Sequence, residues 1–189
     1  FQRAPPAGVQ ALLVTFADEK PANVMASLQA ALKNAIQIQY QLEESELAAE
    51  PLPTRKERRH LLLYEAAEGG AGVLRRLVDE PSAFGAVVRR AQELCHFDPD
   101  TGEDLRRAPT SKDDCEAACY DCLLSYGNQP DHRLLDRQAT RDLLASLAGA
   151  TVELSAAGVP ANVHLEELSR KAGSELERRW LDWMHARQL

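Results

Sequence analysis

Four cysteines constrain this chain more than any other feature of its 189 residues. They are Cys95, Cys115, Cys119 and Cys122, with the spacing C-x19-C-x3-C-x2-C. A zinc ion prefers four ligands at tetrahedral corners, and closely spaced thiolates in a turn supply several corners at little cost in chain entropy. Four cysteines are too few for a disulfide scaffold of this length and indicate a reducing compartment. The spacing therefore predicts a closed, structural Zn²⁺ site.

Other interpretations of these residues stay open at the level of sequence. Either His96 or His132 could replace one thiolate in the site. Cys95 alone, at the end of a predicted helix, could be a buried reduced cysteine. Cys119 and Cys122 could form a redox pair, but such a motif ordinarily follows a strand and opens a helix, whereas this one lies in a polar segment.

The hydrophobic pattern predicts one α+β domain with a small mixed sheet, packed helices and a β-α-β-β-α core. The first strand, Ala11 to Phe16, is short and apolar, so it is expected to be buried. Residues 50–60, with two prolines and a basic cluster, are expected to form an exposed loop. The expected elements are strands over 11–16, 42–47 and 61–65 and helices over 21–39, 73–79, 82–94 and 133–147.

A domain boundary is expected near residue 150, which gives a zinc-binding domain over 1–150. Residues 151–189 are interpreted as a linker, with a short strand at 151–154, and the opening helix of a truncated following domain. The chain begins at Phe1 without Met, which suggests a piece of something longer. It has neither a signal peptide nor an apolar run of about 18 residues, so a cytoplasmic location and no membrane partner are expected.

The turn Gly69-Gly70-Ala71-Gly72 has the shape of an anion-binding element, because it follows a strand and opens a helix. It lacks the third glycine of a dinucleotide-binding motif, and the chain contains no P-loop. A tight turn is therefore the favoured interpretation over a ligand site. Because hydrolase and metalloprotease signatures are also absent from the sequence, the chain itself is expected not to be an enzyme.

The net charge of −7 argues against a surface that binds nucleic acid over its whole extent. Local basic surface remains a candidate for weak contact with DNA. The candidate residues lie on the 50–60 loop and beside the last three cysteines: Arg55, Lys56, Arg58, Arg59, Arg133 and Arg137.

Several segments together resemble the MrfA-type zinc-binding domain over roughly residues 10–148. They are Leu63-Tyr64-Glu65 before the glycine turn, Cys115-x3-Cys119-Tyr120-Asp121-Cys122 with its continuation Leu123-Leu124-Ser125-Tyr126-Gly127-Asn128-Gln129, then His132 and Leu135-Asp136-Arg137. That domain occurs at the C-terminal end of large superfamily-two DEAD/DEAH-box DNA helicases, some implicated in DNA repair and some in antiphage defence. The resemblance implies that Cys95, Cys115, Cys119 and Cys122 bind Zn²⁺.

The leading hypothesis is a non-catalytic zinc-binding domain of an ATP-dependent DNA helicase that braces the motor or positions a DNA strand. Its expected partners are the ATP-binding motor domains of the same polypeptide and DNA, single-stranded DNA included. A free-standing zinc-stabilised interaction module is the alternative, and a small enzyme that uses the glycine turn is a third hypothesis.

Overall fold

The computed structural model describes residues 10–66 and 71–152. Its strands are β1 (Ala11–Thr15), β2 (Leu47–Leu52) and β3 (His60–Glu65). Its helices are α1 (Ala22–Tyr40), α2 (Val73–Asp79), α3 (Ala83–Leu94) and α4 (Arg137–Ala148), and a short 3₁₀ helix covers Tyr126–Asp131. The β-α-β-β-α order and the α+β class are confirmed.

The sheet has the strand order β1-β3-β2 and is antiparallel throughout, not mixed as expected. β3 lies between the two strands that run in the same direction and pairs with both. β1 is an edge strand whose residues alternate between exposed and half-buried, so it is not the buried strand that its apolar sequence suggests. β2 lies later in the chain than expected and includes Pro51, which a strand with one neighbour tolerates.

Helix α1 forms the centre of the core, where it packs against β2, β3, α3 and α4. Its buried residues recur at steps of three and four, which places one broad apolar face on these elements. Helices α3 and α4 pack closely near Gly85, where a Cβ atom would lie 3.0 Å from the carbonyl oxygen of Ala148. The start of α4 lies beside the end of α3, because Arg137 donates to the carbonyl of Cys95 at 3.3 Å.

The described residues end at Val152. The chain divides into two units, Phe1–Glu153 and Leu154–Leu189, and the second unit lies outside the described residues. The linker, the strand at 151–154 and the opening helix of a following domain therefore stay predictions, although Thr151 and Val152 themselves are not in a strand. Among the described helices, none has the length and apolar character needed to cross a membrane.

Candidate metal centre

Four side chains converge between the end of α3 and the segment that precedes α4. The ligand atoms of His96, Cys115, Cys119 and Cys122 all lie within 4.8 Å of one another. The Sγ of Cys122 is 3.7 Å from that of Cys115 and 3.5 Å from that of Cys119, and Nε2 of His96 lies 3.3 Å from Cys119 Sγ. A tetrahedral site with Zn–S bonds of about 2.3 Å has sulfur–sulfur edges of about 3.8 Å. The group therefore fits one tetrahedral Zn²⁺ ion with only small shifts.

The end of α3 explains how His96 reaches this group. Cys95 is the C-cap residue, and His96 follows in the left-handed region with a φ of 62°. The N–H of His96 donates to the carbonyl of Glu93 at 3.0 Å, and the N–H of Phe97 donates to the carbonyl of Gln92 at 2.9 Å. These two bonds form a Schellman motif, in which histidine occupies the position that glycine usually takes. The motif ends the helix and redirects the chain at His96.

Cys95, which was predicted as a ligand, lies outside this group in the structure. Cys95 extends the buried face of α3 that includes Val88 and Ala91, and it is fully buried in the core. Burial raises the pKa of its thiol to about 12. The fourth side chain of the group, beside Cys115, Cys119 and Cys122, is that of His96. The helical spacing of Val88, Ala91 and Cys95 is a sequence signal that places Cys95 on the core face of α3.

His132, the other possible substitute, lies outside the group. Its Nε2 atom is 3.0 Å from both the carbonyl oxygen of Ser125 and Oδ1 of Asn128. These contacts stabilise the 3₁₀ helix, and the histidine of the metal centre is His96.

The turn that carries Cys119 and Cys122 is held by hydrogen bonds and by α1. The N–H of Cys119 donates to Cys122 Sγ at 3.0 Å, which favours the thiolate form of Cys122. The N–H groups of Leu123 and Leu124 both donate to the carbonyl of Cys119. From α1, Nδ2 of Asn34 donates to the carbonyl of Cys122 at 2.8 Å. The turn is thus a tight knuckle attached to the central helix, not the start of a redox helix.

A buried arginine joins the two ends of the metal loop, residues 96–115. The Arg137 side chain is 2% exposed and donates to the carbonyls of Cys95 at 3.3 Å and Cys115 at 2.8 Å. It also donates to both carboxylate oxygens of Asp104, at 2.7 and 3.1 Å, and lies over the ring of Phe97. Arg137 therefore fixes the backbone beside the metal centre. This corrects its assignment as a DNA contact, because no phosphate reaches the buried guanidinium.

The ionisation of the clustered side chains depends on whether a cation is bound. Burial raises the pKa of the Cys115 and Cys122 thiols, and neighbouring cysteines raise it further. Burial, followed by the charge of Arg137, lowers the pKa of His96, so its imidazole is neutral and offers a lone pair. A coordinated divalent ion reverses the penalty on the thiols, because metal binding deprotonates them. One neutral imidazole with three thiolates is a common donor set of structural zinc sites.

The glycine turn does not present an open anion site in the described residues. The N-cap of α2 is Gly72, with a φ of 72°. Its N–H and the N–H of Leu74 donate to the two carboxylate oxygens of Glu65, each at 2.9 Å. The chain's own carboxylate therefore occupies the positive end of this helix, in agreement with the interpretation as a tight turn. Residues 67–70 lie outside the described part.

The basic residues of the 50–60 loop divide into two groups. The Arg58 side chain is 1% exposed and forms an ion pair with Asp131, so its assignment as a DNA contact is corrected. Arg55 is half exposed and lies 3.5 Å from the same carboxylate. Lys56, Arg59 and Arg133 are exposed. These exposed cations stay predictions as DNA contacts.

The fold and the cluster of one histidine and three cysteines define the chain as a small α+β zinc-binding domain. The model of the MrfA Zn-binding domain family matches residues 28–123, just over half of the chain and inclusive of all four clustered residues. The chain belongs to this family, which confirms the resemblance, and its metal is Zn²⁺. No curated protein and no solved structure matches the chain.

Proposed function

We propose that this chain is a non-catalytic, zinc-stabilised accessory domain of an ATP-dependent DNA helicase, with a role in DNA repair or antiphage defence. Membership of the MrfA Zn-binding domain family is the observation that carries the proposal. The expected partners are motor domains of the same polypeptide and a DNA strand. The domain braces the motor or positions that strand, in the cytoplasm.

The geometry of the metal centre supports a structural role for the ion. His96, Cys115, Cys119 and Cys122 supply four ligands, which is the full complement of a structural site and leaves no position for a reacting water. When bound, Zn²⁺ links the end of α3 to the knuckle, while Arg137 and Asn34 connect the same backbone to α4 and α1. Metal binding is thereby coupled to the packing of three helices.

The proposal is tested in the complete product of the encoding gene, where motor domains are expected before residue 1. Cys119→Ser removes a ligand, whereas the matched variant Cys95→Ala changes a core cysteine of the same neighbourhood. Zinc content, ATP hydrolysis and strand separation are measured for both. We expect Cys119→Ser to lose zinc and strand separation, and Cys95→Ala to keep both. A gene product without a P-loop motor, or a zinc-free variant that separates strands normally, contradicts the proposal.

A further inference from the structure

Solvent reaches the four clustered side chains unequally. His96, Cys115 and Cys122 are buried, at 6% exposure or less, whereas Cys119 is half-buried. The next residue, Tyr120, is 70% exposed, so the chain at Cys119 borders on solvent. A bound divalent ion holds its cysteines as thiolates, and the thiolate is the form of cysteine that reacts with oxidants. Cys119 is therefore the ligand that a small dissolved oxidant reaches first.

A second sulfur lies within reach of Cys119. The Sγ atoms of Cys119 and Cys122 are 3.5 Å apart, and a disulfide bond is about 2.05 Å long. The turn already bends the chain between the two residues, because the N–H groups of Cys122 and Leu123 both donate to the carbonyl of Cys119. The sulfurs therefore need to approach by only about 1.5 Å to form a disulfide.

Such a disulfide removes two of the four metal ligands. It leaves His96 and Cys115, whereas a structural zinc site needs four ligands. A sulfur that is bonded to another sulfur no longer carries the negative charge of the thiolate, which is the form that binds metal. Oxidation at the knuckle is therefore expected to release the ion.

The backbone around the centre has contacts that do not involve the ion. Arg137 donates to the carbonyls of Cys95 and Cys115, and Asn34 donates to the carbonyl of Cys122. These hydrogen bonds use backbone oxygens, so oxidation of the sulfurs leaves them in place. The metal loop and the knuckle thus keep their attachments to α4 and α1, which allows the ligand set to be restored.

We propose that Cys119 is an oxidant-reactive site, at which a hydroperoxide converts the zinc centre reversibly into a zinc-free disulfide between Cys119 and Cys122. The Cys119 sulfur attacks one peroxide oxygen, the O–O bond breaks, and Cys119 becomes a sulfenic acid. The Cys122 sulfur then attacks the Cys119 sulfur, so that the S–S bond forms, the S–O bond breaks and hydroxide leaves. With hydrogen peroxide, the two thiolates lose two electrons, and the peroxide becomes two hydroxide ions that take up protons from solvent.

A dissolved thiol reverses this change by exchange with the disulfide, and the regenerated thiolates bind zinc again. The chemistry is that of a zinc centre and differs from the disulfide exchange of a redox helix, because the reduced form holds the ion. The inference goes beyond the function proposed above and needs no helicase. It is judged on the chain alone, whereas the helicase proposal is judged by strand separation in the complete gene product, so the two failures are distinguishable.

The test treats the reduced, zinc-loaded chain of 189 residues with hydrogen peroxide and measures released zinc with a zinc-binding dye. Remaining thiols are then alkylated in denaturant, and a glutamate-specific protease cleaves after Glu116, which separates Cys115 from Cys119 and Cys122. Mass spectrometry thereby identifies the oxidised pair. We expect the loss of one zinc per chain in step with one disulfide between Cys119 and Cys122, while Cys115 is alkylated. Dithiothreitol and added zinc should restore the full zinc content.

Cys95→Ala is the matched control, because it changes a cysteine outside the group and leaves all four ligands. It should lose zinc to peroxide at the same rate as the original chain and form the same disulfide. Brief alkylation of the native, zinc-loaded chain tests the unequal exposure separately. Cys119 should be labelled before Cys115 and Cys122.

Two results overturn the proposal. One is full retention of zinc and of the free thiols in an excess of hydrogen peroxide. The other is release of zinc with a disulfide that includes Cys115, or with no disulfide at all, because either product shows that Cys119 and Cys122 do not form the reactive pair.

Discussion

Replacement of Arg137 by methionine should destabilise the domain strongly, because it leaves Asp104 and two carbonyls near the metal centre without their main donor. Removal of one partner from a buried ion pair costs about 3–5 kcal/mol. Asp104 is 25% exposed and keeps hydrogen bonds from Gln138 and from the N–H of Arg106, which reduces the cost. Methionine also fills much of the volume of the arginine stem. We therefore expect a loss of about 2–4 kcal/mol in the free energy of unfolding.

Urea denaturation at neutral pH measures this loss, with Arg133→Met as the control. Arg133 is an exposed arginine four positions earlier, so its replacement should change the free energy of unfolding by less than about 0.5 kcal/mol. Equal stability of the two variants would refute the structural role of Arg137. A selective loss of DNA binding by Arg137→Met, at unchanged stability, would restore its assignment as a DNA contact.

The difference in free energy of unfolding between the original chain and Arg137→Met should also depend on pH. Burial alone would raise the pKa of Asp104, but hydrogen bonds from Arg137, Gln138 and the Arg106 N–H lower it to about 2. The folded-state pKa lies below the unfolded value, so the stabilisation is complete above about pH 4 and is lost as the pH falls toward 2. In Arg137→Met the pKa should return toward its ordinary value. The stability difference between the original chain and the variant should therefore narrow as the pH falls from about 4 to about 2.

Three further predictions concern other residues. Cys95→Ala should keep full zinc content by mass spectrometry and lose about 1 kcal/mol of stability, whereas Cys119→Ser should lose its zinc. Glu65→Ala should remove the cap of α2 and lower the free energy of unfolding by about 1–2 kcal/mol in urea. Arg58→Met should lower the free energy of unfolding by about 2–4 kcal/mol, which lowers the thermal midpoint by several degrees. Replacement of its exposed neighbour, Arg59→Met, should leave the thermal midpoint unchanged. Equal zinc loss in Cys95→Ala and Cys119→Ser would contradict the position of Cys95 outside the metal centre. Equal thermal midpoints of Arg58→Met and Arg59→Met would contradict the burial of Arg58.

Hydrophobic periodicity predicted much of the fold. Helix α2 occupies the expected residues, α3 starts one residue later than expected, and α4 starts four residues later and ends one residue later. These segments have apolar residues at helical spacing and clear glycine or proline boundaries, so local pattern and tertiary packing agree. The position of β2 was missed because Pro51 and Pro53 are typical of loops, and only the pairing with β3 shows that the first of them belongs to an edge strand.

The metal centre was predicted only in part, because spacing along the chain does not show where a helix turns. Cys115, Cys119 and Cys122 are close in sequence and meet in space. Cys95 and His96 are adjacent, and the left-handed turn at the end of α3 decides which of them faces the knuckle. No sequence pattern marked that turn, since histidine stands where glycine is usual.

The buried arginines were missed for a different reason. Arg58 lies in a basic, proline-rich segment, which is typical of an exposed loop, and its partner Asp131 is 73 residues away. Arg137 and Asp104 are 33 residues apart. Charge patterns within a short window cannot reveal such long-range ion pairs, which form only when the fold brings the carboxylates to the arginines.

The ligand set of the zinc ion is tested most directly by X-ray absorption at the zinc edge of the intact chain. The geometry predicts three sulfur ligands at about 2.3 Å and one nitrogen ligand at about 2.0–2.1 Å, from Cys115, Cys119, Cys122 and His96. The nitrogen should disappear in His96→Ala, and the spectrum should be unchanged in Cys95→Ala. Four sulfur ligands in the original chain, reduced to three in Cys95→Ala, would contradict the account and assign the fourth position to Cys95.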